Sequence, residues 1–376
     1  MAFGSGFHTE VNLKQKFLHI NWGLVLLICL IAAIGISALY SAGNGDFSRW
    51  AGKHLIRFGV GMFGMVIIAL IDIRFWHRMS YLIFIAGFLM LIAVEVMGHV
   101  GMGAQRWINL GFMKLQPSEL MKIAVIMALA RYFHVKEPGD LRNIVMLIPA
   151  AILIFLPVGL VLLQPDLGTS LMIVFGGAAM FWIAGAPGWL FAAGIVIAAV
   201  SAPVVWHFMH SYQKQRVLTF LNPESDPLGS GYHITQSKIA LGSGGVRGKG
   251  FMEGSQSHLN FLPEKQTDFI FTLWAEEWGL AGGVFLLISF AMIFVYCGWI
   301  AFRCRQRYTQ LLAFGLMVNF SLYVIINIAM VMGLIPVVGV PLPLISYGGT
   351  SMLAALISFG LIISCSIHKD SKIPRI

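Results

Sequence analysis

Asp268 stands where a long polar stretch, from Phe208 to Trp278, passes into an apolar run: Phe261-Leu262-Pro263-Glu264-Lys265-Gln266-Thr267-Asp268-Phe269-Ile270-Phe271. A carboxylate at such a boundary can take a proton from a hydroxyl arriving at membrane depth. Three further polar motifs open apolar runs in the same way. They are Gln116-Pro117-Ser118-Glu119, Gln164-Pro165-Asp166-Leu167-Gly168-Thr169-Ser170 and Ser346-Tyr347-Gly348-Gly349-Thr350-Ser351. Proline in the first turn and Ser, Thr or Asp at the cap are what helix starts require. N-termini gathered at one level would bring free N–H groups and positive dipole ends together, a setting for phosphate. Taken singly, each motif reads as an ordinary cap, Asp166 above all.

Glu119 and Lys122 are three residues apart and share a helical face. Each would cost about 2.5–3.5 kcal/mol at mid-membrane, so they are expected to pair or to line a watery cavity. Arg106, with Gln105 beside it in Gly103-Ala104-Gln105-Arg106-Trp107, lies in the preceding loop within reach of them. Lys249 belongs to the run Gly242-Ser243-Gly244-Gly245-Val246-Arg247-Gly248-Lys249-Gly250. That run is no phosphate loop: Ser243 stands where Gly is needed, and Gly250 where Ser or Thr is needed. Its glycines, like those in Asp226-Pro227-Leu228-Gly229-Ser230-Gly231, instead allow backbone to approach a ligand or another segment. Of Glu276 and Glu277, one is expected to face inward, in a structural role as readily as a catalytic one.

The elements that position these residues are membrane helices. The 376 residues are 58% hydrophobic and 11% charged, with a mean hydropathy of +0.82. A soluble domain carries roughly 25% charged residues. The chain therefore reads as an all-α polytopic membrane protein, a single domain over residues 1–376, with ten transmembrane helices. The spans are expected near 22–42, 56–72, 79–98, 117–133, 144–163, 169–186, 188–207, 271–301, 310–334 and 349–367. A long extracytoplasmic loop, about 208–270, separates the seventh from the eighth. Lysine and arginine crowd the short loops on the side that holds both ends, which makes the termini cytoplasmic. Arg49, Lys53, Arg57, Arg106, Lys114 and Lys122 lie on the outer side against that rule. They read either as headgroup anchors or as holders of an anionic substrate. The net charge of +9 thus acts on topology and anionic lipid, not on nucleic acid. Cys29, Cys297, Cys304 and Cys365 form no Cys-x-x-Cys pair, so neither a disulfide framework nor a zinc site is expected.

No nucleotide-binding unit is present, which turns attention to a donor that carries its own leaving group on a lipid. Such a reaction needs a base for the acceptor hydroxyl and positive charge for the departing pyrophosphate. A single carboxylate with basic neighbours suits this better than the pair used in glycoside hydrolysis. The motifs above, with Gly254-Ser255-Gln256-Ser257-His258-Leu259-Asn260-Phe261, resemble the SEDS family (shape, elongation, division and sporulation) over most of the chain. Within it they resemble the RodA branch, which serves elongation, more than the FtsW branch, which serves division.

The resemblance implies a peptidoglycan glycosyltransferase in the bacterial cytoplasmic (inner) membrane. It would polymerise lipid II into β-1,4 glycan strands and release undecaprenyl pyrophosphate. It also implies a class B penicillin-binding protein and other elongation-complex membrane proteins as partners, and a divalent cation, Mg or Mn, with no nucleotide. By motif position Asp268 matches the family's catalytic aspartate, and Glu119 and Lys122 its functionally important pair. Gln266 stands where the family carries histidine, which leaves no imidazole for that position. Asp268 is accordingly expected to deprotonate the acceptor's 4-hydroxyl. Arg106, Lys122 and Lys249, or a metal ion, would stabilise the leaving group, and Gln105, Ser118, Asp166, Ser346 and Tyr347 would contact substrate. Two other classes stay open from the residues: a lipid II flippase or other transporter gated by Glu119 and Lys122, and a scaffold that recruits the crosslinking enzyme.

Overall fold

The structure is a computed structural model that describes residues 13–97, 99–101, 104–109, 111, 114–137, 139–209, 211–225, 230–258 and 264–374. A short helix α1 (Leu13–Leu18) leads into α2 (Trp22–Ala42), α3 (Ala51–Leu70) and α4 (Ile73–Met97). Three short strands follow, β1 (His99–Gly101), β2 (Ala104–Asn109) and β3 (Lys114–Leu115). Next come α5 (Pro117–Val135), α6 (Ile144–Leu163), α7 (Leu167–Ala184) and α8 (Gly188–Phe208). The segment expected as a long loop holds α9 (Ser211–Leu221), α10 (Ser230–Ser243) and α11 (Ser255–His258). The chain ends with α12 (Ile270–Arg303), α13 (Arg307–Val331) and α14 (Gly349–Ile367).

Among the described residues nine helices are long and apolar enough to cross a membrane: α2, α3, α4, α6, α7, α8, α12, α13 and α14. The fourth expected span, α5, is equally regular but carries Glu119, Lys122 and Arg131. It can do so because nearly its whole length is buried, between α4, α6, α7, α13 and α14. Its charges meet protein instead of lipid, the arrangement that makes ionisable groups tolerable at this depth. The second and third expected spans, α3 and α4, start earlier than expected, at Ala51 and Ile73, so Lys53, Arg74 and Arg78 lie on helices and not in loops.

Small residues set the closest packing. A Cβ at Gly360 of α14 would fall 2.8 Å from the Met65 carbonyl of α3, so glycine there lets the two backbones touch, as is common between membrane helices. Helix α8, in contrast, buries none of its residues. The strands form an antiparallel sheet in the order β1-β2-β3, with Ile108 opposite Leu115. This is the one departure from an all-helical plan among the described residues, and it carries Arg106.

The eighth expected span, α12, is two helices joined at Gly279, whose φ of 64° breaks the helical path. The break frees backbone groups that no water can satisfy inside a bilayer. The glycine run satisfies them: Leu280 N donates to Gly245 O (2.9 Å) and Ala281 N to Val246 O (3.0 Å). In return Lys249 N donates to Glu276 O and Gly250 N to Glu277 O, both at 3.1 Å. A Cβ at Gly248 would lie 2.0 Å from Glu277 O, so close an approach admits glycine alone. The expectation that these glycines serve close approach is met by a segment of the chain itself. Asp226–Gly229, by contrast, lies outside the described residues.

Candidate active site

The N-termini of α5, α7, α12 and α14 line one cavity of about 1110 Å³. Gln116, Asp166, Asp268 and Gly348, one from each start, all face it. Arg57 of α3, Arg106 of β2, Lys114, Lys122 and Arg216 of α9 face it too. Four starts that read as separate caps therefore share a space, with basic side chains around it.

Asp268 precedes the first turn of α12 and is half-buried. Its carboxylate is pushed up to about 6, first by burial and then by the charge of Glu264, against the opposing pull of Arg216. The backbone around it is held from three sides. Tyr347 N donates to Gln266 O at 2.8 Å, Ser346 Oγ donates to Thr267 O at 2.6 Å, and Asn327 Nδ2 donates to Asp268 O at 3.0 Å. The segment supplying Ser346 and Tyr347 is itself pinned, since His54 Nε2 bonds Leu344 O at 3.1 Å.

Glu119 and Lys122 form the pair their spacing predicts, with Lys122 Nζ 2.8 Å from Glu119 Oε1. Tyr323 of α13 completes it. Its hydroxyl donates to Glu119 Oε2, and its ring lies under the Lys122 ammonium at 4.1 Å from the centroid. Such a buried pair is held by hydrogen bonds to both partners. Asp166 is the N-cap of α7, accepting from Thr169 N (3.2 Å) and Thr169 Oγ1 (2.9 Å). Gln116 Nε2 reaches it at 3.3 Å. Arg106 grips the same turn, donating from Nε to Gln164 O at 3.1 Å and from a terminal nitrogen to Pro165 O. Its other terminal nitrogen stands 3.9 Å from Asp166 Oδ2.

Several expected substrate contacts sit elsewhere. Lys249 does not line the cavity: Glu276 Oε1 holds its ammonium at 2.8 Å and Ser255 Oγ at 2.7 Å. Glu276 is fully buried and also accepts from Gln256 N, Ser257 N and Ser257 Oγ. It therefore anchors the loop to α12, while Glu277 accepts from Ser41 Oγ. Both glutamates face inward, where one was expected. Ser118 is buried with its hydroxyl taken by Gln116. Ser346 is buried too, its hydroxyl shared between Leu342 N and Thr267 O. Neither serine lines the cavity; they bond to Gln116 and Thr267, which do. Tyr347 does line the cavity, beneath Arg57, whose guanidinium stands 4.8 Å from its ring centroid. The side chain of Gln105 lies outside the described residues, as do Gly103 and Leu259–Pro263. Arg216, Glu264, Asn327 and Tyr323 were not singled out in the sequence. The first two lie in the long polar stretch, and the others in an apolar run where a lone polar residue gives no spacing signal.

A second, apolar cavity of about 310 Å³ adjoins the first and shares Arg106, Asp166 and Arg216 with it. Leu167, Leu171, Phe175, Val217, Ile326 and Ile335 make its walls. No group of three or more His, Cys, Asp or Glu side chains among the described residues could cage a metal ion.

The chain matches the family model described as cell cycle protein, which covers FtsW, RodA and SpoVE, over residues 15–371. It is 41% identical over 362 residues to the peptidoglycan glycosyltransferase MrdB of Escherichia coli K12, covering 95% of this chain and 97% of that one. Among solved structures it resembles a subunit from a study of how a peptidoglycan synthase complex coordinates polymerization and crosslinking. There the TM-score is 0.82 at 30% identity, covering 94% and 99% of the two chains. It also resembles the Thermus thermophilus rod shape determining protein RodA, with a TM-score of 0.71 at 27% identity, covering 94% and 98%. With its bundle of membrane helices and a match that runs almost end to end, the chain belongs to the FtsW/RodA/SpoVE family, the SEDS proteins.

Proposed function

We propose that the protein is the peptidoglycan glycosyltransferase of cell elongation and rod shape, joining lipid II units by β-1,4 links. The observation that carries this reading is a half-buried carboxylate, Asp268, on the wall of a cavity that also presents Arg57, Arg106 and Arg216 and adjoins an apolar one. Asp268 takes the proton from the 4-hydroxyl of the acceptor sugar as that oxygen attacks C1 of the donor. The bond from C1 to the phosphate oxygen breaks with inversion, and undecaprenyl pyrophosphate leaves with the electron pair. The apolar cavity suits the first isoprene units of a lipid whose pyrophosphate meets Arg106 and Arg216 at the shared rim.

Because Glu119 offsets the charge of Lys122 and Asp166 stands near Arg106, positive charge for the leaving group is shared among Arg57, Arg106, Lys114 and Arg216. A divalent cation, which the family resemblance implies, would offset the charge of the departing pyrophosphate. The cavity end faces outward and both termini face the cytoplasm of a bacterial inner membrane, with α5 as the tenth span. The likeness to a synthase complex subunit supports a class B penicillin-binding protein as partner.

Purified protein in detergent, given lipid II, is expected to form glycan chains. Asp268→Asn should slow this by about 10²–10⁴-fold, the usual worth of a general base. A wild-type protein that moves lipid II between leaflets of a vesicle and forms no glycan would replace this reading with a flippase.

A further inference from the structure

Asn327 lies on α13 in an otherwise apolar stretch, fully buried. Its side-chain nitrogen serves two carbonyls, Asp268 O at 3.0 Å and Val340 O at 2.7 Å. The opposite amide orientation would set Oδ1 against two carbonyl oxygens, so the chemistry of the contacts fixes which atom is nitrogen. Oδ1 meets no donor among the described residues. Leaving a buried amide oxygen unpaired costs free energy, so the residue does not stabilise the helix through its own satisfaction. What it does is tie two walls of the cavity together.

Those walls are the ones that meet at the carboxylate. Val337 to Pro341 line the cavity opposite the start of α12. Gly339 lies so close to Asp268 that a Cβ built on it would stand 3.5 Å from Oδ2, and its φ is +76°. One amide thus fixes both the residue that carries the carboxylate and the strip of backbone that the carboxylate faces. Tyr347 N and Ser346 Oγ hold the two preceding carbonyls, and Ser346 Oγ also accepts from Leu342 N just beyond that strip; neither bonds Asp268 or the strip itself. We propose that Asn327 is a positioning residue, holding Asp268 at the distance and angle from the opposite wall that the acceptor hydroxyl requires. This rests on Asp268 acting as the base.

The test compares wild type, Asp268→Asn, Asn327→Asp and Asn327→Ala, each purified in detergent and assayed for lipid II polymerisation. Asn327→Asp keeps the shape and turns the donor into an acceptor facing two carbonyls. Asn327→Ala removes the donor without adding repulsion, and serves where the aspartate variant does not fold. The folded variant is expected to lose turnover by about 10- to 100-fold, the cost of a displacement near 1 Å at a reacting group. KM for lipid II should stay within about twofold, because the substrate contacts are untouched. Near-normal turnover, a rise in KM with turnover intact, or failure of both variants to fold would each overturn the proposal. A fully active Asp268→Asn would instead remove the base itself, which separates that failure from this one.

Discussion

At the scale of single residues, the chemistry turns on the ionisation of Asp268. A base must be deprotonated to act, and burial together with Glu264 raises this carboxylate to about 6. Activity as kcat/KM is therefore expected to fall as pH drops through about 6, where an unperturbed aspartate would hold it to roughly 4. Glu264→Gln removes the like charge and should move that acid limb to lower pH. Arg216→Gln removes the opposing charge and should move it to higher pH. A limb that stays in place in both variants would show that another group sets it. The buried pair makes a separate prediction. Lys122→Met leaves Glu119 without its cation and should cost about 3–5 kcal/mol. Tyr323→Phe removes one hydrogen bond to the carboxylate, at about 1–3 kcal/mol. Thermal unfolding in detergent ranks the two, and a larger loss for Tyr323→Phe would contradict the pairing.

Among the elements, α12 has the most to accommodate, since it presents Asp268 at one end and breaks at Gly279 a few turns later. The break is stable because residues 245–250 pair with it, and because Glu276 holds Lys249, Gln256 and Ser257. A methyl group at position 248 would overlap the Glu277 carbonyl on a backbone whose φ is +80°. Gly248→Ala should therefore cost about 1–3 kcal/mol, the range for overpacking. It should also expose the glycine segment to limited proteolysis sooner than in wild type. Unchanged melting and unchanged cleavage would mean that the segment does not depend on this seat.

For the whole molecule, the prediction concerns sidedness. Lys114 is exposed at the rim of the cavity, and Lys369 is exposed just beyond the end of α14. In intact cells, Lys114→Cys should react with a membrane-impermeant maleimide, and Lys369→Cys only after the membrane is opened. The native cysteines interfere little, since three are buried and Cys29 is half-buried. The reverse pattern would put the cavity on the cytoplasmic side, out of reach of a substrate presented outside.

Membrane character, most span positions and the chemistry-bearing motifs were legible in the sequence, because each depends on local features. Apolar length, a proline or aspartate at a helix start, and an i, i+3 charge pair all act within a few residues. The pairing of Glu119 with Lys122 and the capping by Asp166 followed directly. The sequence could not say that four helix starts meet in one cavity, because convergence depends on packing between distant helices. For the same reason Lys249 and Ser346 read as substrate contacts, although Glu276 and Thr267, far from them in the chain, take up their polar atoms. Asn327, Tyr323 and Arg216 gave no signal until the fold brought them beside Asp268 and Glu119. Local physics specified the parts, and only long-range contacts, which no short stretch encodes, decided which of them face the same space.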